Sequence, residues 1–155
     1  MEGYLCSSRW EDLAARVGSE IGVSPWFTID QPTVSAFADL IGDHYFIHVD
    51  PQRAAELQFK GTIAHGFLTL SLLSQMSYHV CPRIEDTRFP LNYGFNRVRF
   101  VQPVPTGSRV RGRFVLRSAE VIGESQFQAV YDATVEIEGQ PKPALVAEWL
   151  LRAIV

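Results

Sequence analysis

Gly66-Phe-Leu-Thr-Leu-Ser-Leu-Leu-Ser-Gln-Met-Ser-Tyr78 is the stretch whose reading decides the fold. Phe67, Leu68, Leu70, Leu72, Leu73 and Met76 leave no broad polar face, and no proline interrupts them. A helix that is apolar nearly all round is buried on most of its sides. This one is therefore expected to be the central helix of the domain. The sequence on its two sides keeps different periods.

Upstream the spacing is helical. Ser8-Arg-Trp-Glu11 matches a capping box, and Trp10, Leu13, Ala14 and Val17 continue at helical spacing to Gly18. Residues 25–29 read as a short strand. Asp30 or Gln31 then caps a helix with Pro32 in its first turn, an apolar stripe of Val34, Phe37, Ala38 and Ile41, and Gly42 as its stop. Asp50-Pro51 repeats the pattern of cap and first-turn proline for a short helix to about Leu57.

Downstream, from residue 91, the period becomes two. Val98 and Phe100 alternate with Arg97 and Arg99, and Val110, Phe114 and Leu116 alternate with arginines. Phe127, Ala129, Tyr131, Ala133, Val135 and Ile137 hold the odd positions of a third run. Residues 145–155 are apolar on both faces, which predicts a central strand. Turns fall at Pro103 to Gly107, around Gly123 and at Gly139 to Pro141. Helices followed by four successive strands predict an α+β fold: an antiparallel sheet with segregated helices. No linker, repeat or low-complexity tract divides residues 1–155, so a single domain is expected.

Composition narrows the function classes. The chain has 155 residues, 46% hydrophobic and 20% charged, with formal net charge −3. No apolar run approaches the roughly 20 residues that span a bilayer. The N-terminus lacks a basic region followed by an apolar stretch, so neither a membrane span nor a secretory signal is expected. Cys6 and Cys81 show no C-x-x-C spacing and are too few for a disulfide framework, which fits a reducing cytoplasm. Between Asp86 and Glu120 there is no acid, yet Arg88, Arg97, Arg99, Arg109, Arg111, Arg113 and Arg117 lie there. This block reads as a phosphate-receiving patch or a solvated sheet face. With a negative total charge and no accompanying motif it does not predict nucleic-acid binding.

Two short segments carry the chemistry. Gly42-Asp-His-Tyr-Phe-Ile-His48 places a carboxylate and an imidazole between two helical patterns. Ile63-Ala-His-Gly66 opens the long apolar helix, whose positive end can offer a backbone N–H to a developing oxyanion. The first segment can hold and deprotonate a water. Together they point to acid–base chemistry on a carbonyl compound. The competing reading is metal, from His44, His48, Asp43, Asp50 and His65. Gly42 and Pro51 make residues 43–50 largely irregular, which disfavours a helical i,i+4 zinc pair, so no metal is expected.

Asp43-x-x-x-Ile47-His48-x-Asp50, followed by Ile63-Ala-His-Gly66 and an apolar helix, resembles the MaoC-like, R-specific enoyl-CoA hydratases from about Ser24 to the C-terminus. The resemblance implies the hot-dog fold, in which a curved antiparallel sheet wraps one long helix. It implies hydration of trans-2-enoyl-CoA to (R)-3-hydroxyacyl-CoA, and the reverse. Asp43 and His48 would activate the water, the Gly66 N–H would stabilise the oxyanion, and Ser74, two turns along the helix, would help orient the site. Tyr45 and Phe46 stand where the family motif has Asn-Pro, which alters the local hydrogen bonding and the acyl pocket. They join Ala64, His65, Asn92, Gly94, Asn96, Arg97 and Arg99 as implied substrate contacts, the last three toward the CoA phosphates or pantetheine arm. The implied enzyme is cytoplasmic and needs no cofactor beyond its CoA substrate. It is implied to be a homodimer that closes the open sheet edge, with higher assemblies also accommodated. A hot-dog thioesterase and a non-catalytic acyl-CoA-binding module are the competing readings.

Overall fold

The change of sequence period marks the passage from helices to sheet. A computed structural model describes residues 3–155. The chain runs through β1 (Ser7–Ser8), α1 (Trp10–Ala14), β2 (Glu20–Val23), β3 (Phe27–Thr28), α2 (Gln31–Ile41), α3 (Phe46–Val49) and α4 (Pro51–Ala54). It continues through α5 (Gly66–Tyr78), β4 (Arg83–Ile84), β5 (Phe89–Phe100), β6 (Arg109–Gly123), β7 (Gln126–Ile137) and β8 (Leu145–Ile154). The main sheet is antiparallel throughout, in the order β2-β6-β7-β8-β5, with β3 also pairing β6. This is the expected hot-dog architecture of the α+β class. β8 lies between β7 and β5, as its two apolar faces predict.

Alternation puts Val110, Phe114, Leu116, Tyr131, Ala133, Val135, Leu145 and Trp149 into one core against Leu68, Leu73 and Met76 of α5. Cys81 is buried in this core, and burial pushes its thiol pKa well up, while Cys6 is exposed; both are free. Asp30 caps α2 by accepting the Thr33 N–H, Asp50 caps α4 by accepting that of Arg53, and Gly42 ends α2 at φ 74°. Each follows the local signal in the sequence.

Three expectations are corrected. Ser8 forms no capping box: Arg9 is the N-cap of α1, without a side-chain cap bond, and the Ser8 hydroxyl donates to the Arg9 carbonyl. The helix ends at Ala14 rather than at Gly18. The helix opened by Pro51 ends at Ala54 rather than at about Leu57. α5 is covered on most sides, as expected, with one open stripe of Phe67, Ser71, Gln75 and Tyr78.

The arginine block lies on the outer face of the sheet beside acids from other strands. Arg111 and Arg113 share Glu136, Arg113 also reaches Glu20, Arg109 meets Glu138, and Arg117 meets Asp132 and Glu148. Sheet pairing has neutralised four of the seven arginines.

Candidate active site

The first chemical segment is shaped by the end of α2. Gly42 takes the left-handed conformation at φ 74°, and the Asp43 N–H donates back to Ala38 O at 3.1 Å. The Asp43 Oδ1 accepts the Tyr45 N–H at 3.2 Å, closing a turn that leaves Oδ2 free. This backbone bond lies where the motif's Asn is replaced by Tyr45. α3 then carries His48 inward, 8% exposed, and His48 Nδ1 donates to the Ile63 carbonyl at 2.7 Å. A carbonyl can only accept, so His48 holds its proton on Nδ1 and keeps Nε2 for chemistry.

The second segment is stitched to the first. Ile63 N–H donates to Ile47 O at 3.0 Å, and Ala64 N–H donates to Val104 O at 2.8 Å. Gln31 of α2 secures the join, donating to the His48 carbonyl at 2.8 Å and accepting the Thr62 hydroxyl at 2.6 Å. His65 is the N-cap of α5 and Gly66 its first residue. The Gly66 N–H therefore has no partner within the helix and sits at the positive end of its dipole. A cavity of about 300 Å³ opens here, walled by His48, Ala64, Gly66, Thr69, Phe100 and Val104.

Asp43, His48 and His65 each bring one ligand-type atom within 4.8 Å of the others. Two hydrogen bonds of about 2.8 Å meeting at a tetrahedral angle span roughly 4.6 Å, so one water can bridge acceptors at that spacing. The same trio is also the composition of a metal site. The His48 and His65 rings, however, are stacked 3.7 Å apart at 24°, so their in-plane lone pairs run side by side rather than converging on one ion. Of the other candidate ligands, His44 turns outward to Asp39 at 2.7 Å and Asp50 caps α4.

The structure thus brings together Asp43, His48, Ala64, His65 and Gly66, and it separates the other expected residues from them. Tyr45 is exposed beside Asp43, and Phe46 lies under the Arg53 guanidinium at 4.3 Å; neither walls the cavity. Ser74 lines a different, small cavity of about 70 Å³ with Asn92 and Trp149. There Asn92 accepts the Trp149 indole N–H at 2.7 Å. Gly94 sits at a β-bulge with φ 156°, and Asn96 donates to Glu148 at 2.6 Å. Arg97 and Arg99 are exposed on β5, away from the cavity wall. Two residues were missed. Thr69 is four positions after His65 on the same helical face, a spacing that could have revealed it. Gln31 gave only a capping signal.

Residues 12–137 match the family described as MaoC like domain. The chain belongs to the MaoC-like domain family. It is an enzyme of the hydratase/dehydratase class. This MaoC-like chain is 55% identical over 140 residues to nodulation protein N of Rhizobium leguminosarum bv. viciae, covering 90% of the chain and 87% of the relative. It is 49% identical over 143 residues to 3-hydroxyacyl-thioester dehydratase Z of Mycobacterium tuberculosis, covering 92% and 94% respectively. Among solved structures it resembles the unliganded R-hydratase PhaJ1 of Pseudomonas aeruginosa, with TM-score 0.70 and 25% identity over 89% of this chain and 81% of that one.

Proposed function

We propose that this protein adds water to trans-2-enoyl-CoA esters to give (R)-3-hydroxyacyl-CoA, and catalyses the reverse dehydration. The observation that carries the reading is the spacing of at most 4.8 Å between ligand-type atoms of Asp43 and His48, with His48 and Gly66 both in the cavity wall. Asp43 Oδ2 and His48 Nε2 hold one water between them. As its oxygen bonds to Cβ, one proton passes to this pair, and electrons move through the double bond onto the thioester oxygen. The Gly66 N–H receives that oxyanion; an aimed backbone donor of this kind contributes on the order of 3 kcal/mol. A proton returned to Cα completes the addition, so the water's atoms are all accounted for in the product.

No metal or bound cofactor enters this scheme. The chain is read as cytoplasmic; among the described residues no helix is long and apolar enough to cross a membrane. A homodimer is part of the reading, supported by β5 as an open sheet edge with Phe89, Leu91 and Tyr93 exposed.

Loss of crotonyl-CoA absorbance tests the proposal, with the assay run in EDTA and free thiol measured alongside. The wild-type protein is expected to consume the enoyl thioester without releasing thiol. Asp43→Asn and His48→Ala are each expected to lower kcat by about 10² to 10⁴-fold. Unchanged turnover in both variants sinks the assignment. Thiol release without hydration identifies a thioesterase instead.

A further inference from the structure

His65 stands at the junction of the two chemical segments, immediately before Gly66, and the scheme above gives it no task. Its ring is 3% exposed, and Nε2 lies 3.0 Å from the Asp43 carbonyl oxygen. That oxygen only accepts, so Nε2 carries a proton, and in the neutral ring Nδ1 is then a bare lone pair. Nδ1 is the one buried side-chain polar atom without a partner among the described residues. The His65 ring stacks on His48 at 3.7 Å and meets Phe37 of α2 at 5.3 Å. A buried polar atom left unpaired costs on the order of 1–3 kcal/mol, so an apolar side chain here would suit stability better. The imidazole is kept at that cost, and its contacts point at the reacting groups.

The bonds that hold Asp43 show what those contacts do. Asp43 N–H is tied to Ala38 O and Asp43 Oδ1 to the Tyr45 N–H, both within the first segment. Among the described residues, the His65 Nε2–H bond is the hydrogen bond that joins Asp43 to the segment bearing Gly66. The carboxylate Oδ2 lies 3.9 Å from the same nitrogen, too far for a bond of its own.

We propose that His65 is a positioning residue: its Nε2–H sets Asp43, and its ring face sets His48, at a fixed distance from the Gly66 N–H. It acts through those residues and touches no reacting atom. The inference rests on the hydratase reading for its kinetic arm only. Geometry of this kind acts on the transition state, since a misplacement of about 1 Å can cost roughly 10²-fold in rate.

Two substitutions separate the roles of donor and ring. His65→Phe keeps an aromatic face on His48 and removes the donor; His65→Gln restores an N–H near the Nε2 position and removes the ring. With crotonyl-CoA, His65→Phe is expected to lower kcat by about 10²-fold with KM within about threefold, and His65→Gln to recover at least about tenfold of that loss. Equal kcat in wild type and His65→Phe overturns the proposal, as does a change confined to KM. Independently of turnover, ¹⁵N spectra of histidine-labelled wild-type protein are expected to show His65 protonated on Nε2 and bare at Nδ1. A proton on Nδ1 with Nε2 bare breaks the assignment even in a fully active enzyme. Should wild type fail to hydrate crotonyl-CoA, the functional reading falls, and the ring spectrum alone decides whether His65 holds Asp43.

Discussion

Gly66 is constrained twice at the level of a single residue. Its N–H must face the cavity, and its missing Cβ leaves room for Phe100, whose ring carbons lie 3.0–3.3 Å from where a Cβ would stand. Gly66→Ala is therefore expected to displace the Phe100 ring or the start of α5. We expect kcat for crotonyl-CoA to fall by about ten to a hundredfold while the far-ultraviolet spectrum is unchanged. Full activity in that variant would remove Gly66 from the oxyanion role.

A second residue couples stability to pH. Burial pushes the Glu136 carboxyl up, but hydrogen bonds and charge from Arg113 and Arg111 outweigh it and hold the carboxyl below its usual range. A depressed carboxylate contributes stability above its unfolded value, near 4.3, and that contribution disappears as pH falls through the folded value. Glu136→Gln is expected to cost about 1 kcal/mol at pH 7 in urea unfolding, the partial exposure of the pair being allowed for. At pH 3 the gap should have narrowed. A gap that widens on acidification contradicts the ion-pair account.

The contact between α5 and β6 is decided by another glycine. At Gly112 a Cβ would lie 2.8 and 2.9 Å from the Phe114 ring and 3.1 Å from the Met76 Cβ. The absent side chain lets the helix settle onto the strand. Gly112→Ala is expected to destabilise the fold by about 1–3 kcal/mol through overpacking, read as a lowered Tm with little change in kcat. An unchanged Tm would mean the helix rides higher on the sheet than described.

Elements were legible where their signal is local. α5 is bounded by its own apolar run, α2 by Asp30 and Gly42, and α4 by Asp50 and Pro51. Where tertiary contacts decide, the sequence is silent. β2, Glu20-Ile-Gly-Val23, is a strand because β6 pairs with it from ninety or more residues away. Ser8 fails as a cap because its hydroxyl turns to the neighbouring carbonyl. The site follows the same division. The Asp43–His48 and Ile63–Gly66 segments could be found because spacing along the chain sets their geometry. The placement of Ser74 and of Asn92 to Arg99 depends on how α5 lies against β5 and β8. Family spacing therefore reached the cluster of Asp43, His48 and Gly66 and missed Thr69 and Gln31.

At the scale of the whole molecule β5 and α5 each leave apolar side chains open. Phe89 and Leu91 are 50% and 41% exposed on an edge strand, and Phe67 projects from the uncovered helix stripe. Light scattering is expected to give twice the 17.4 kDa chain mass for wild type. Leu91→Lys is expected to shift the protein toward the single-chain mass, a charge on an edge strand being a common block to pairing. A wild-type protein of single-chain mass at micromolar concentration would refute the dimer.

The sheet order also has a kinetic side. β6 and β7 are joined by the two residues Glu124 and Ser125, so their pairing closes a very short loop. β5 must instead wait for β8, where Phe89 meets Ile154 across the whole intervening hairpin. Contacts so distant along the chain form slowly, because loop-closure entropy is lost before any bond repays it. During refolding the meander from β6 to β8 is expected to take shape first, with β5 docking after it and β2, whose β6 partners lie still farther along the chain, later again. Phe100 reaches the cavity only with β5, so that wall is expected to close after the meander has formed.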